Sequence, residues 1–261
     1  MSYSHIRFEA GADRIALVTI NRPEKRNALN ARVMEELADA FERARNDASI
    51  GALAVTGAGD KAFVAGADIG ELSEMTPVEA RQAALRGQQI FRKLETLGKP
   101  SVACINGYAL GAGLELAMAC TLRLACPEAK LGQPEVKLGL LPGYGGTQRL
   151  PRLVGRGRAL DLLLSGEPLD AEEAHRIGLV NYVTPRENLQ PFARGLLEKV
   201  LANGPIAISL ILEAVDVGTS AGLEEGLRFE AAAFGLIAGT QDRREGTRAF
   251  LEKRKAVFAG K

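Results

Sequence analysis

Two glutamates lie in apolar surroundings near the middle of the chain. Glu115 is flanked by leucines, alanine and methionine, and Glu135 follows a proline between two apolar stretches. A carboxylate kept from water must be paired, hydrogen-bonded or partly neutral, because an unpaired buried charge is costly. Two such carboxyls suit general acid–base catalysis, in which one group accepts a proton and the other donates one. Taken alone, Glu115 is also compatible with a charge at a helix start, and Glu135 with local hydrogen bonding.

Segments of small residues lie near both glutamates. NGYALGAGLELA, residues 106–117, has the pattern of a strand, a turn and a helix start, whose free N–H groups attract negative charge. A dinucleotide-binding loop is the obvious rival, but Leu116 occupies the third glycine position of the GxGxxG pattern. KAFVAGADI, residues 61–69, has small side chains that let a ligand approach backbone N–H groups. This second segment is also compatible with a packed surface loop.

Apolar periodicity predicts the elements that must position these segments. Strand patterns alternate with helix patterns over roughly the first 185 residues, and helices alone finish the chain, which predicts an α/β fold with a helical carboxy-terminal region. The expected strands are 13–20, 52–56, 101–105, 121–125 and 180–183, with 57–70 irregular. The expected helices are 31–45, one between 77 and 97, 114–119, one or two within 145–165 with a break near Gly155, and one from 170 to 178. From 187 onwards we expect four helical segments, separated at Gly204-Pro205, Gly218 and Gly239.

The composition argues against several classes of protein. Lys and Arg number 33 against 32 Asp and Glu, so no broad attraction to nucleic acid or an anionic membrane is expected. We expect no secretory signal and no membrane span. Cys104, Cys120 and Cys126 form no CxxC pair, which predicts reduced, buried thiols in a cytoplasmic protein. His5, in an expected frayed terminus, and His175, on an expected solvated helix, support neither a zinc site nor a Ser-His-Asp site.

Five segments in order along the chain resemble the crotonase family, and most closely the enoyl-CoA hydratases. They are NRPEKRNAL (21–29), KAFVAGADI (61–69), NGYALGAGLELA (106–117), LGQPEVKLGLLPGYGGTQRL (131–150) and DRREGTRAFLEKRK (242–255). The resemblance implies a crotonase-like spiral of β-β-α units in residues 1–200, followed by a helical oligomerisation region in 201–261. It also implies a homotrimer, or a hexamer formed as a dimer of trimers.

The resemblance also assigns site residues. The N–H groups of Ala67 and Ala112 are expected to form an oxyanion hole, and Glu115 and Glu135 to act as the catalytic pair. Ala112 stands where many relatives have glycine, so we expect an ordinary negative φ there. Gln133 is expected to hydrogen-bond Glu115. Residues expected to bind CoA or substrate are Lys25, Arg26, Ala28, Ala65, Gly66, Asp68, Ile69 and Gly113, with Phe250 and Lys253 reaching the CoA of a neighbouring subunit.

The implied reaction is the reversible syn addition of water to a trans-2-enoyl-CoA, giving a (3S)-3-hydroxyacyl-CoA in fatty-acid β-oxidation or related acyl-CoA degradation. No metal and no cofactor apart from the CoA of the substrate are expected, because the reaction is not a redox reaction. The alternatives are a Δ3,Δ2-enoyl-CoA isomerase, for which one carboxyl suffices, and another acyl-CoA enzyme of the family. A remote alternative is an RNA-binding relative, whose basic helix would here contain Arg81, Arg86, Arg92 and Lys93, interrupted by Glu79 and Glu95.

Overall fold

The computed structural model describes residues 3–261, and the elements below are those of this part of the chain. The strands are β1 Ile6–Ala10, β2 Ile15–Ile20, β3 Ala52–Gly57, β4 Ala62–Val64, β5 Ser101–Ile105, β6 Tyr108–Leu110, β7 Leu122–Ala125, β8 Lys130–Gly132, β9 Leu169–Asp170 and β10 Tyr182–Val183. The helices are α1 Ala31–Asn46, α2 Ile69–Ser73, α3 Pro77–Glu95, α4 Ala112–Ala119, α5 Gly146–Val154, α6 Arg156–Ser165, α7 Ala171–Arg176, α8 Leu189–Leu201, α9 Pro205–Ser220, α10 Leu223–Ala238 and α11 Gln241–Leu251. Short 3-10 helices occupy Pro23–Lys25, Pro134–Leu138 and Arg186–Asn188.

Two sheets organise the strands of residues 3–261 into a spiral. The larger sheet has the order β1-β2-β3-β5-β7-β10, and the smaller one has the order β4-β6-β8-β9. Strands β3, β5 and β7 run parallel in the first sheet, and β4, β6 and β8 run parallel in the second. Each turn of the chain therefore contributes one strand to each sheet before a helix returns it. This repetition brings the loops after β4, β6 and β8 to one side of the molecule.

Helix α1 shows how the sequence determines the larger elements. Asn30 caps it by accepting a hydrogen bond from the N–H of Val33. Its buried face carries apolar residues at helical spacing against the larger sheet, and Phe41 in that face is fully buried. Helix α3 begins with a capping box formed by Thr76 and Glu79. Both helices were expected from periodicity, and their bounds differ from the expected ones by two residues or fewer.

Strands β4 and β8 were not expected from the sequence. Strands β4 and β8 have three residues each, and β4 lies inside the segment that the sequence analysis treats as irregular. Three residues are too few to show an alternating pattern, so these strands are formed by their neighbours in the sheet rather than by a local signal.

The carboxy-terminal region forms four helices, as expected, but one boundary was wrong. Gly218 lies inside α9, and the break before α10 comes at Ala221-Gly222. A single glycine costs a helix only about 1 kcal/mol relative to alanine, so it does not have to end one. Helix α8 packs on β3 and β5, whereas α9 and α10 pack on each other. The expected division at residue 200 falls at the end of α8 and stays a prediction.

The segment around His5 is ordered, contrary to the expectation of a frayed terminus. The side chain of Glu36, on α1, accepts hydrogen bonds from the N–H groups of Ser4, His5 and Ile6. Burial alone would raise the pKa of this carboxyl, but the hydrogen bonds prevail and lower it to about 2. Strand β1 then pairs antiparallel with β2. A buried glutamate therefore fixes the chain before its first strand.

Among residues 3–261, no helix taken by itself is long and apolar enough to span a membrane; segments 186–201 and 205–220 meet that criterion only as a pair bent by 105°.

Candidate active site

Gly111 makes the turn between β6 and the buried helix α4. Its φ of +52° and ψ of −124° lie in a region that side-chain-bearing residues rarely adopt. A Cβ atom at this position would also lie 2.9 Å from Oε1 of Glu135. The turn directs the start of α4 towards the loop after β8. Glycine at 111 is therefore required both by the backbone conformation and by the closeness of the carboxyl.

Two backbone N–H groups remain unpaired next to this turn. Ala112 is the first residue of α4, where an N–H has no partner within the helix, and Ala67 lies in the loop between β4 and α2. Within residues 3–261 neither N–H donates to a protein acceptor. Ala112 has no positive φ, which confirms the expectation for that position. The two amides line one cavity, as an oxyanion hole requires.

Glu115 lies on the first turn of α4 and is almost completely buried. Its Oε1 atom accepts hydrogen bonds from the N–H of Tyr144 at 2.8 Å and from that of Gly146 at 2.6 Å. Its other oxygen, Oε2, accepts no hydrogen bond from residues 3–261. Burial raises the pKa of this carboxyl to about 7, and the charge of Glu135 adds to the rise while the two N–H groups oppose it. A pKa near neutrality suits a group that exchanges protons.

Glu135 lies in the 3-10 helix after β8, and burial raises its pKa above the usual range. Gln133 lies beside Glu135 rather than Glu115, and its Nε2 donates to the carbonyl oxygen of Gly111 at 3.4 Å. With the amide turned over, Nε2 lies 3.0 Å and 3.2 Å from the two oxygens of Glu135. Gln133 can therefore accept from a protonated Glu135 in one orientation and donate to the ionised form in the other.

A cavity of about 670 Å³ connects these groups. Glu115, Glu135, Ala67 and Ala112 all line it, so the structure brings together the four residues expected to perform the chemistry. The rest of its wall is mainly apolar and comes from α2, α3 and the loop 138–144. Its apolar side chains are those of Ile69, Leu72, Ala80, Ala83, Ala84, Leu138, Leu140, Leu141 and Tyr144. Such a wall accepts a hydrocarbon chain next to a polar reacting centre.

Of the residues expected to bind CoA, Ala65, Gly66 and Ile69 line the cavity. Segment 25–28 runs next to this loop, because the N–H of Ala65 donates to the carbonyl oxygen of Arg26. The side chains of Lys25 and Arg26 are exposed there.

The other expected binding residues lie outside the cavity wall in the described chain. Asp68 is paired with Arg22 at 3.2 Å, and Arg22 also donates to the carbonyl oxygen of Ala28. Gly113 lies against β4, where a Cβ atom would overlap the carbonyl oxygen of Val64. Their roles in CoA binding stay predictions.

Phe250 and Lys253 lie at the carboxy-terminal end of α11. Phe250 is 82% exposed, and neither residue lines the cavity in the described part of the chain. Their expected contact with the CoA of a neighbouring subunit stays a prediction.

Helix α3 carries the basic residues considered for RNA binding. Arg92 pairs with Asp216 on α9, and Lys93 pairs with Glu42 on α1. Two of the four basic side chains therefore have acidic partners. These ion pairs reduce the positive charge of the surface that an RNA would meet.

Sequence reasoning missed the residues that hold Glu115 in place. The N–H of Tyr144 binds Glu115, while its carbonyl oxygen accepts from Arg149 at 2.6 Å. Arg149 also makes two hydrogen bonds with Glu95 on α3, at 2.6 Å and 2.9 Å. The segment GYGGTQR contributes to the family resemblance, but no contact with Glu115 or Glu95 was expected from it. No local pattern in it indicates contacts with residues 29 and 54 positions away.

No group of three His, Cys, Asp or Glu side chains within residues 3–261 is arranged to hold a metal ion. The three cysteines are buried and unpaired with one another, as expected. Burial raises the pKa of both Cys104 and Cys120 to about 12, which keeps these thiols protonated near neutral pH.

The buried carboxyl of Glu115 predicts a dependence of stability on pH. Its folded-state pKa of about 7 exceeds the ordinary glutamate value of 4.5. The folded state therefore holds the proton more tightly than the unfolded state and loses stability as the pH rises between these two values. The loss amounts to about 3 kcal/mol in the free energy of unfolding. The glutamine of the Glu115→Gln variant cannot ionise, so this variant does not lose that free energy of unfolding. Urea unfolding at fixed protein concentration should show the variant gaining about 3 kcal/mol over the unaltered protein between pH 4 and pH 8.

Glu172→Gln, on the exposed surface of α7, is the matched control, and its difference from the unaltered protein should stay constant over the same range. If the free energy of unfolding of Glu115→Gln also differed from that of the unaltered protein by a constant amount, the pKa of Glu115 would not be raised in the folded protein.

The chain is similar to known proteins along nearly its whole length. The family model described as enoyl-CoA hydratase/isomerase matches residues 10–261. The chain is 46% identical over 261 residues, all of both chains, to a protein of Syntrophomonas wolfei named crotonyl-CoA hydratase. It is 45% identical over 242 residues, 93% of each chain, to the short-chain-enoyl-CoA hydratase of Clostridium acetobutylicum. Its fold matches the crystal structure of an enoyl-CoA hydratase from Bacillus anthracis with a TM-score of 0.94 and 39% identity, covering 99% of this chain and 100% of that one.

Proposed function

The chain belongs to the enoyl-CoA hydratase/isomerase family and has the crotonase fold, and from this premise we propose that it hydrates short-chain trans-2-enoyl-CoA esters to (3S)-3-hydroxyacyl-CoA. One observation carries the proposal: two carboxyls with raised pKa values and two unpaired N–H groups line a single apolar cavity. The names of the relatives from Syntrophomonas wolfei and Clostridium acetobutylicum support a short acyl chain.

The N–H groups of Ala67 and Ala112 would hold the thioester oxygen. When water attacks the β-carbon of the enoyl group, negative charge moves onto this oxygen and gives it enolate character. Two fixed donors stabilise the charge where it develops, and each is worth about 10²–10³ in rate. The amino-terminal end of α4 adds a favourable dipole at the same place.

The two glutamates would divide the proton transfers. Glu115 Oε1 is held by two backbone donors, so Oε2 is the oxygen that would orient water and accept its proton. Glu135, close to Gly111 and the oxyanion donors, would give its proton to the α-carbon. The hydroxyl bonds to the β-carbon as Glu115 takes the proton of the water, and the α-carbon is protonated afterwards. Glu115 is then protonated and Glu135 ionised, and proton exchange with solvent restores the starting forms. Because the charge of Glu135 affects the pKa of Glu115, the two groups titrate as a coupled pair.

An isomerase moves a single proton and needs a single carboxyl. Glu115 provides the second carboxyl that hydration uses, and its Oε2 is unoccupied by donors from residues 3–261. The arrangement therefore favours hydration. CoA would lie along segment 25–28 and the loop 65–69, with Lys25 and Arg26 near its phosphates.

The deciding experiment is an absorbance assay of crotonyl-CoA hydration by the purified chain. We expect turnover of crotonyl-CoA and at most slight turnover of free crotonic acid, because the CoA part supplies binding energy that the free acid lacks. Equal turnover of acid and ester would contradict the CoA site. Isomerisation of a 3-enoyl-CoA without hydration of crotonyl-CoA would favour the isomerase instead. The trimer or hexamer, the cytoplasmic location and the absence of a further cofactor stay predictions.

A further inference from the structure

Tyr144 lines two neighbouring cavities. One is the candidate active-site cavity of about 670 Å³, and the other is a neighbouring cavity of about 260 Å³ between α1, α2 and α3. Four residues line both: Ala67, Leu72, Ala83 and Tyr144. Tyr144 has the largest side chain of the four. The partition between the cavities therefore depends mainly on one aromatic ring.

The ring is held firmly in this position. It meets the ring of Phe91 edge to face, with centroids 5.6 Å apart. On α3 it contacts the backbone of Gly87, where any Cβ atom would overlap the ring. Glycine in the middle of a helix costs about 1 kcal/mol relative to alanine, so its presence at 87 is explained by the space that the ring needs. The fit of Tyr144 to Gly87 and Phe91 makes the partition a built feature.

The second cavity is suited to an extended acyl chain near the partition. Leu29, Met34, Leu72 and Met75 supply apolar wall there. The polar and charged residues of the wall are Asn30, Asp68, Glu71, Glu79, Gln82 and Arg86. A hydrocarbon chain lying in the first cavity would reach this space if the ring were absent. With the ring present, a longer chain would have to displace it from Gly87 and Phe91.

We propose that the Tyr144 ring is the end wall of the acyl pocket and limits the chain length of the substrate. This inference rests on the proposed function, because it assigns the wall to an acyl-CoA site. The backbone N–H of the same residue binds Glu115, and a side-chain substitution leaves that N–H in place. Wall and proton-transfer site are therefore separable by mutation.

The test is the ratio of kcat/KM for trans-2-decenoyl-CoA to that for crotonyl-CoA. In a ratio, any general loss of activity cancels. Each additional buried methylene is worth about fourfold in binding, so admitting two or more should raise the ratio at least about tenfold in Tyr144→Ala. Tyr144→Phe keeps the ring, and its ratio should stay within about twofold of the unaltered protein. Leu140→Ala, which enlarges the first cavity alone, is the matched control and should change the ratio far less than Tyr144→Ala.

Binding of saturated acyl-CoA esters provides a readout that needs no turnover. The ratio of the Kd for butyryl-CoA to that for decanoyl-CoA, measured by calorimetry, should rise in Tyr144→Ala alone. If the kcat/KM ratio and the Kd ratio were both unchanged in a folded Tyr144→Ala variant, the proposal that Tyr144 forms the end wall would be wrong. If Tyr144→Ala does not fold, Tyr144→Leu replaces it in both measurements. Failure of the proposed function would instead appear as no hydration of crotonyl-CoA by the unaltered protein, while the binding ratios would still test the wall.

Discussion

Glu115→Gln and Glu135→Gln should each lower the rate of crotonyl-CoA hydration by at least about 10²-fold, because each removes one of the two proton transfers. Glutamine keeps the shape of the side chain, and its carbonyl oxygen can still accept the N–H groups of Tyr144 and Gly146. The loss should therefore appear mainly in kcat, with KM changed little. Steady-state kinetics with crotonyl-CoA measure both values.

The exposed Glu172→Gln controls for the loss of one negative charge and should retain full activity. Thermal unfolding of each variant establishes that it is folded. Near-normal kcat in either folded active-site variant would show that its carboxyl takes no part in the reaction.

Ala112→Pro should lower kcat by about 10²–10³, because proline removes one of the two N–H donors of the proposed oxyanion hole. Most backbone donors cannot be deleted without damage, but Ala112 is the first residue of α4, where proline is well tolerated. Proline restricts the preceding residue to non-helical conformations, and Gly111 already has one. Kinetics with crotonyl-CoA measure the loss.

Ala112→Gly is the matched control. It removes the methyl group but keeps the N–H, so its kcat should remain within about tenfold of the unaltered protein. Equal losses in the two variants would indicate that the side chain, and not the donor, matters at this position.

The sequence predicted the large elements well because their signals are local. Helix α1 has a buried apolar face that repeats from Val33 to Ala44, and helix α3 has one from Gly87 to Leu94. Asn30 and Thr76 mark the starts of the two helices. The three-residue strands β4 and β8 lack any such repeat, and the contact between neighbouring turns of the spiral creates them. The break predicted at Gly218 was wrong for the opposite reason. Glycine is a local signal for the end of a helix, but the packing of α9 on α10 keeps the helix continuous there.

The candidate site was predictable only where a motif could be matched. Glu115, Glu135, Ala67 and Ala112 came from resemblance, and local chemistry alone left structural roles open for the two glutamates. Their convergence depends on the spiral, which no window of sequence shows. The contact of Gln133 with Gly111 and those of Arg149 with Glu95 join segments that are distant in sequence. Such contacts produce no periodic pattern in the sequence from which they could be predicted.

Tyr144 serves the protein with two separate parts, its amide and its ring. Every amino acid except proline has a main-chain N–H, so a codon change at 144 alters what the pocket admits and spares the group that binds Glu115. Acyl-length preference can thus diverge between descendants of one gene through single substitutions. The chemical step would be inherited unchanged while the preferred length of the acyl chain changes.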